Sequence, residues 1–392
     1  MTLRIHAGPQ LLAGLRESSS YPAHRDYFGE VPVADRDTLI QSLESVRGRG
    51  GAAFPFATKL RALGASNRPV VVVNWAEGEP ASHKDAALAR VRPHLVLDGV
   101  QIVARAYRAR EVHIVVPKER PAVVDAVTAA AQQRRHPKRF KVHLADDRFV
   151  AGQARAVLEL MAGRPNLPVT AWQPEAYSGH RGRPTLLSHA ETWAHVALRM
   201  MRPDSPATTL LTMGGESAAP DVREVEIGTS WSKVLGSWSP DAPILVGGYH
   251  GTWTSVRRLG KLPVDHDTMR MAGVPLGAGV LLAPAPGECP MTMTARLARY
   301  LADHSAGRCG PCFNGLPAMA AAVSDLAHGR GEQARVEHFF DVLERRGACA
   351  HPDGTVRLVR SLVTAFPAEV AAHRAGGCSF AERRHNPGES VA

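Results

Sequence analysis

Apolar residues at Leu39, Ile40, Leu43 and Val46 recur at helical spacing and predict a helix over about 35–46. The pattern stops at Arg47-Gly-Arg-Gly-Gly-Ala-Ala-Phe-Pro55, which predicts a turn-rich loop. Four valines at 70–73 predict a strand buried on both faces and ending at Asn74. A helix over 94–107, a strand over 112–116, a helix over 121–133 and a short strand over 140–144 follow. Strands alternating with helices imply a parallel sheet covered on both sides.

The pattern changes over 208–259. Short strands at 209–213, 222–227 and 244–247 are punctuated by glycine, with one helical stretch at 231–237, and this implies a small separate mixed domain. From 291 onward the period is helical again, with helices at about 291–304, 311–328, 332–346 and 355–373. Short connections favour an up-down-up-down four-helix bundle. The expected organisation is an α/β domain over 1–204, the small domain over 205–265, and the bundle with its tail over 266–392.

The 392-residue length suits two or three domains, and no apolar run reaches the roughly 18 residues of a membrane span. The start, Met1-Thr-Leu-Arg-Ile-His6, has no signal-peptide core, so a cytoplasmic chain without direct membrane insertion is expected. A net charge of +10 favours acidic partners. Arginine is spread along the chain and no nucleic-acid-binding motif is present, so nucleic acid is not expected among them, whereas a small acidic electron carrier is.

All five cysteines, Cys289, Cys309, Cys312, Cys349 and Cys378, lie in the last third of the chain. That clustering in an otherwise cysteine-free chain points to metal rather than a disulfide framework. Cys309-Gly-Pro-Cys312 is a C-x-x-C turn that presents two thiols on one side. In the bundle topology the first and third loops share one end, which brings Cys349 to the same place. Iron, zinc and a redox dithiol are each compatible with that set.

Two further loops carry candidate chemistry. The glycines after Arg47 would let backbone amides approach a phosphate, although a tight structural turn explains the same residues. Asn74-Trp-Ala-Glu-Gly-Glu-Pro80 leaves the C-terminal end of a buried strand, where doubly wound sheets bind ligands, and Lys84 and Asp85 follow it.

Together these segments resemble the flavoprotein subunit of NADH:quinone oxidoreductase, respiratory complex I. Gly48-Arg-Gly-Gly-Ala-Ala-Phe-Pro55 with Lys59 resembles its flavin loop, and Asn74 to Asp85 its second flavin motif. Gly182-Arg-Pro-Thr185 with Glu191-Thr192 is similar to a later flavin segment, and 208–259 to a β-grasp module. Ser305-Ala-Gly-Arg-Cys-Gly-Pro-Cys312 and Gly347-Ala-Cys349 resemble the cluster-binding bundle. The resemblance runs in order from about 35 to 373. It implies a Rossmann-like FMN domain, a β-grasp domain and an iron–sulfur four-helix bundle. It further implies FMN held by Gly48, Arg49, Gly50, Gly51, Lys59, Asn74, Glu77, Glu79, Ser188 and His189, with a 4Fe–4S or three-iron cluster on Cys309, Cys312 and Cys349. No separate catalytic side chain is assigned, because the cofactors carry the chemistry.

This chain departs from the family pattern at several points. Ala306 stands where the first cluster cysteine belongs, leaving a fourth ligand to be found among His304, Ser305, Cys289, Cys378 or solvent. The dinucleotide carboxylates are replaced by Gln153 and Ala154, followed by Arg155, which shifts the expectation from NADH towards NADPH or no nicotinamide. Ala76 replaces an aspartate, and Ser188-His189 replaces an Asn-Asn pair. The reading is an oxidoreductase subunit passing electrons between NADPH, NADH or a reduced ferredoxin-like carrier, FMN and the cluster, alongside other redox subunits. Its alternatives are a scaffold paralogue without flavin and a structural zinc on the three cysteines.

Overall fold

The computed structural model describes residues 3–15, 20–64, 68–135, 140–215, 219–285 and 287–380. The chain falls into two compact units, one of residues 2–212 and 221–227, the other of residues 1, 213–220 and 228–392.

The first unit contains, in order, β1 (Arg4–Ile5), α1 (Tyr21–Phe28), α2 (Arg36–Ser42), α3 (Phe56–Ala62), β2 (Val70–Asn74), α4 (Lys84–Val91) and α5 (Pro93–Ala106). It continues through β3 (Glu111–Pro117), α6 (Pro121–Gln132), β4 (Phe140–Ala145), α7 (Ala154–Met161), β5 (Thr185–His189) and α8 (Ala190–Met201). Most of β6 (Thr208–Gly215) and all of β7 (Asp221–Glu226) complete it. The central sheet has the order β4-β3-β2-β5 and every pair is parallel.

The valine run of β2 explains how that sheet is covered. Val71 and Val73 join a large core with Leu95, Val96 and Val100 of α5 and Trp193 and Val196 of α8. Val70 and Val72 point the other way, into a smaller core with Val157, Leu158 and Met161 of α7. Both faces are therefore apolar, which is why β2 shows no polar alternation. Gly99 makes the α5–α8 approach possible: a Cβ there would lie 1.9 Å from the Trp193 carbonyl oxygen.

The second unit contains α9 (Trp231–Leu235), β8 (Pro243–Val246), β9 (Thr252–Ser255), α10 (Val256–Leu259), α11 (His266–Met271) and β10 (Val280–Ala283). Strand β8 pairs antiparallel with both β9 and β10. Then come α12 (Pro290–Asp303), a π-helical turn (Pro311–Gly315), α13 (Leu316–Ala327), α14 (Gln333–Leu343), α15 (His351–Ala365) and α16 (Pro367–Arg374). Helix α12 packs on α13 and α15, and α14 on α13 and α15, which closes a four-helix bundle.

One expectation needs correcting. The stretch 355–373 is two helices, because Pro367 has no amide hydrogen to continue the ladder and drives Phe366 out of helical geometry, to φ −130°, ψ 55°. The second of them, α16, lies against α13 and α15. No described helix is long and apolar enough to cross a membrane.

Candidate functional site

In the first unit the chain builds outward from β2 through β3 to β4, then returns to place β5 on the other side of β2. That reversal makes the C-terminal ends of β2 and β5 the topological switch point, where open parallel sheets form a crevice. Asn74 and His189 are the last residues of these two strands and are paired in register. Asn74 Nδ2 lies 3.5 Å from His189 Nε2 and donates to Gly152 O at 2.7 Å, while its Oδ1 accepts from Ala76 N at 3.0 Å.

The glycine loop reaches the same place. Arg47 and Pro55 form an antiparallel bridge that closes it, Gly48 N donates to Phe54 O at 2.8 Å, and Gly51 has φ 98°. A Cβ on Gly50 would lie 2.2 Å from the His189 ring, so only glycine lets this backbone sit against the imidazole. Lys59, on α3, donates from Nζ to Leu187 O at 2.9 Å and lies 3.7 Å from Glu175 Oε1. Burial pushes the Lys59 ammonium pKa down, against the pull of Glu175.

Three buried charges clamp the loop. Glu191 of α8 accepts from Lys84 Nζ at 2.7 Å and Leu210 N at 2.9 Å, and lies 3.7 Å from Arg49 Nε. Burial alone would raise its pKa, but Lys84 and Arg49, with His195, outweigh that and hold it well below the usual carboxylate range. Lys84 also donates to Arg49 O at 2.6 Å, and Arg49 N donates to Thr192 Oγ1 at 2.9 Å. The Arg49 guanidinium donates to Thr208 O at 2.6 Å.

Not every residue expected at the site lines it. Glu77 sits in the left-handed region at φ 44° and uses both carboxylate oxygens at the start of α4. It accepts from Ser82 Oγ (2.8 Å), Asp85 N (2.9 Å), Ala86 N (3.1 Å) and Arg120 NH1 (2.7 Å). Four donors fill a carboxylate's acceptor capacity, so Glu77 shapes the loop. Glu79 accepts from Ala81 N at 3.3 Å. Ser188 is buried in β5, and its carbonyl accepts from Trp193 Nε1 at 3.1 Å. Arg155 donates to the carbonyls of Ser178, at 3.2 Å, and Gln173. The clamp by Thr192 and the Glu77–Arg120 pair join residues too distant in sequence for any spacing to reveal.

His189 is pushed down to about 3, by burial first and then by the Lys84 and Lys59 charges, so the ring is neutral. The unfolded chain takes up a proton below about pH 6.5 that folded His189 refuses, so stability falls as pH drops from there towards about 3. Urea midpoints from pH 8 to 4 should therefore fall less steeply in His189→Asn than in the parent. The expected difference at pH 4 is on the order of 2 kcal/mol. Parallel slopes would contradict the assignment.

In the second unit Cys309 and Cys312 are in thiol–thiol hydrogen-bond contact at the π-helical turn, and Cys349 lies close enough for its charge to act on Cys312. Burial, then the Cys309 contact and the charges of Cys309 and Cys349, push the Cys312 thiol up to about 12. The backbone amides of Ala348 and Cys312 overcome burial to pull Cys309 down. The Ala306 amide also hydrogen-bonds to Cys312, so the backbone at residue 306 passes beside that thiol.

Residues 42–198 match the family model described as Nuo51 FMN-binding domain, and 292–373 match the NADH-ubiquinone oxidoreductase-F iron-sulfur binding region. The NADH-quinone oxidoreductase F subunit of Mycobacterium tuberculosis (strain ATCC 25618 / H37Rv) is 28% identical over 93% of this chain and 92% of its own. Its counterpart in Streptomyces coelicolor is 26% identical over 92% and 89%. The chain carries the FMN-binding domain and the iron-sulfur binding region of the NADH-quinone oxidoreductase F subunits. The fold agrees: a solved NAD+-reducing [NiFe]-hydrogenase in the air-oxidized state superposes with TM-score 0.82 at 24% identity, covering 95% of this chain and 68% of that one.

The match to the family's FMN domain takes in the glycine loop, both strand ends and α8, and the second match contains Cys309, Cys312 and Cys349. The donor set suits FMN. A desolvated lysine, glycine amides, an asparagine amide and a neutral imidazole at one sheet edge suit an anionic phosphate joined to a polar ring. Cys289 and Cys378 fall outside the second match.

Proposed function

We propose that this chain is an electron-transfer flavoprotein subunit in which Gly48, Gly50, Gly51, Lys59, Asn74 and His189 hold FMN. Cys309, Cys312 and Cys349 hold the iron–sulfur cluster. The observation that carries the reading is the meeting of Asn74, His189 and the Gly50 backbone at the switch point of the parallel sheet. FMN bound there supplies the exchange between two-electron hydride transfer and one-electron transfer. Lys59 and the loop amides neutralise and orient its phosphate, and the neutral His189 offers a ring nitrogen without adding charge. Glu191, Lys84 and Thr192 keep the loop in place, while Arg49 and Glu77 brace it and Glu79 and Ser188 stand at its edges.

Similarity to NADH-quinone oxidoreductase F subunits supports other redox subunits as partners, and the +10 charge supports an acidic ferredoxin-like carrier among them. Gln153 and Ala154 leave the nicotinamide side without its two carboxylates, which removes a repulsion against a 2′-phosphate. We expect anaerobically purified protein to carry FMN and iron, and NADPH or reduced ferredoxin to bleach the flavin band faster than NADH. Fast bleaching by NADH at low micromolar concentration would overturn the donor preference. A second reading, a scaffold paralogue without flavin, draws on Ala306 and on the His189 ring lying over Gly50. Colourless protein lacking extractable FMN would establish it and end the first.

A further inference from the structure

Four side chains with metal-ligating atoms converge at the N-terminal end of α12. Cys289 is the N-cap of that helix, Glu369 and His373 lie one turn apart on α16, and Cys378 follows α16. Their ligand atoms all lie within 4.8 Å of one another. Cys289 Sγ is 3.1 Å from Glu369 Oε1 and 3.2 Å from His373 Nε2. Glu369 Oε1 is also 3.2 Å from Cys378 Sγ and 3.1 Å from His373 Nε2. Tetrahedral zinc–ligand bonds would set such atoms roughly 3.4–3.8 Å apart, so these four pairs need to open by only a few tenths of an ångström.

The surroundings are those of a built site. Cys289, Glu369 and His373 are 3%, 4% and 6% exposed, so water cannot solvate them freely. His373 Nδ1 donates to Ala327 O at 2.6 Å, which leaves Nε2 as the nitrogen turned to the cysteine and glutamate. Met291 N donates to Cys289 Sγ at 3.2 Å, which fixes the sulfur at the first turn of the 14-residue helix. Ser379 N and Oγ hydrogen-bond to Glu369 Oε2, fixing the carboxylate from behind.

We propose that Cys289, Glu369, His373 and Cys378 bind one zinc-class divalent cation as a closed structural site. Two thiols and an imidazole select against magnesium and calcium, and four protein ligands leave no open position for catalysis. The ion ties the start of α12 to α16 and the segment after it, a link supplied by none of the bundle's own loops. It is separate from the Cys309 group: α12 spans about 21 Å, and Cys312 sits by Ala306, beyond the far end of the helix. Cys289 and Cys378 are thereby removed as candidates for the missing cluster ligand.

The test is elemental analysis of the full-length protein grown with zinc, with Cys289→Ser, Cys378→Ser and Cys312→Ser in parallel. Zinc at about one per chain in the parent and in Cys312→Ser, with at least a tenfold loss in Cys289→Ser and Cys378→Ser at unchanged iron, is the expected pattern. Zinc-edge X-ray absorption on the parent reads the site without any substitution, and should show two sulfurs at about 2.3 Å and two lighter ligands. A zinc-free parent, whether its two thiols titrate free or form a disulfide, would overturn the proposal. So would zinc lost from Cys312→Ser but kept in Cys289→Ser, or a shell of three or four sulfurs.

Discussion

Ala306→Cys is expected to give a cluster that survives air, where the parent loses iron. A cubane cluster is normally held by four thiolates, and this chain brings three, Cys309, Cys312 and Cys349, to one end of the bundle. The Ala306 amide hydrogen-bonds to Cys312, so a thiol added at this position starts next to the other ligands, and residue 306 is only partly buried. Loss of even an outer-shell partner commonly costs 10–100-fold in metal affinity, so restoring a direct ligand should slow iron release on the order of tenfold or more. Iron content against time in air measures it, together with electron paramagnetic resonance of the reduced cluster. The variant should hold about four irons per chain, and the parent should fall towards a three-iron form. Equal release rates with an unchanged spectrum would place the cluster away from residue 306.

Lys84→Met should lower stability by roughly 3–5 kcal/mol, because it strands the buried Glu191 carboxylate. Lys84 and Glu191 are 5% and 0% exposed and 2.7 Å apart, and the remaining cation, Arg49, stands at 3.7 Å, as does the His195 imidazole, which burial keeps neutral. The sign of the pH dependence follows. In the parent Glu191 is held below its ordinary value, so the pair stabilises the fold at neutral pH. In the variant, burial without Lys84 raises the Glu191 pKa, so the deficit is greatest above that raised pKa and shrinks as pH falls below it towards the parent's depressed value. The double variant Lys84→Met/Glu191→Gln should recover part of the loss, since no buried carboxylate is left without Lys84 and the amide oxygen still accepts from Leu210 N, although Arg49 loses the Glu191 charge. Urea unfolding at pH 8 and pH 5 measures both effects. FMN affinity should fall as well, because Lys84 Nζ also holds Arg49 O in the glycine loop. A single variant as stable as the parent would show the pair to be solvated.

Much of the α/β layer was legible in the chain itself. Strands β2, β3 and β4 lie within a residue of their expected bounds, because a buried parallel strand must be a short β-branched run. Helix α4 and the β5–α8 succession were not legible, since 185–201 is apolar on several sides and its burial comes from α5 and β2. The break at Pro367 was legible in principle, because proline marks it directly, but the helical period continues across it.

The sequence by itself determined the kinds of chemistry available. It supplied a glycine loop, a lysine, an asparagine at the end of a buried strand, and a C-x-x-C turn, each recognisable because its residues act within a few positions of one another. Only the tertiary structure decided which of them meet. It set Gly50 against His189, turned Glu77 to the start of α4, and drew Cys289 and Cys378 to Glu369 and His373. Those outcomes depend on helix packing and strand order, which join residues far apart in the chain. No local period or spacing carries that information.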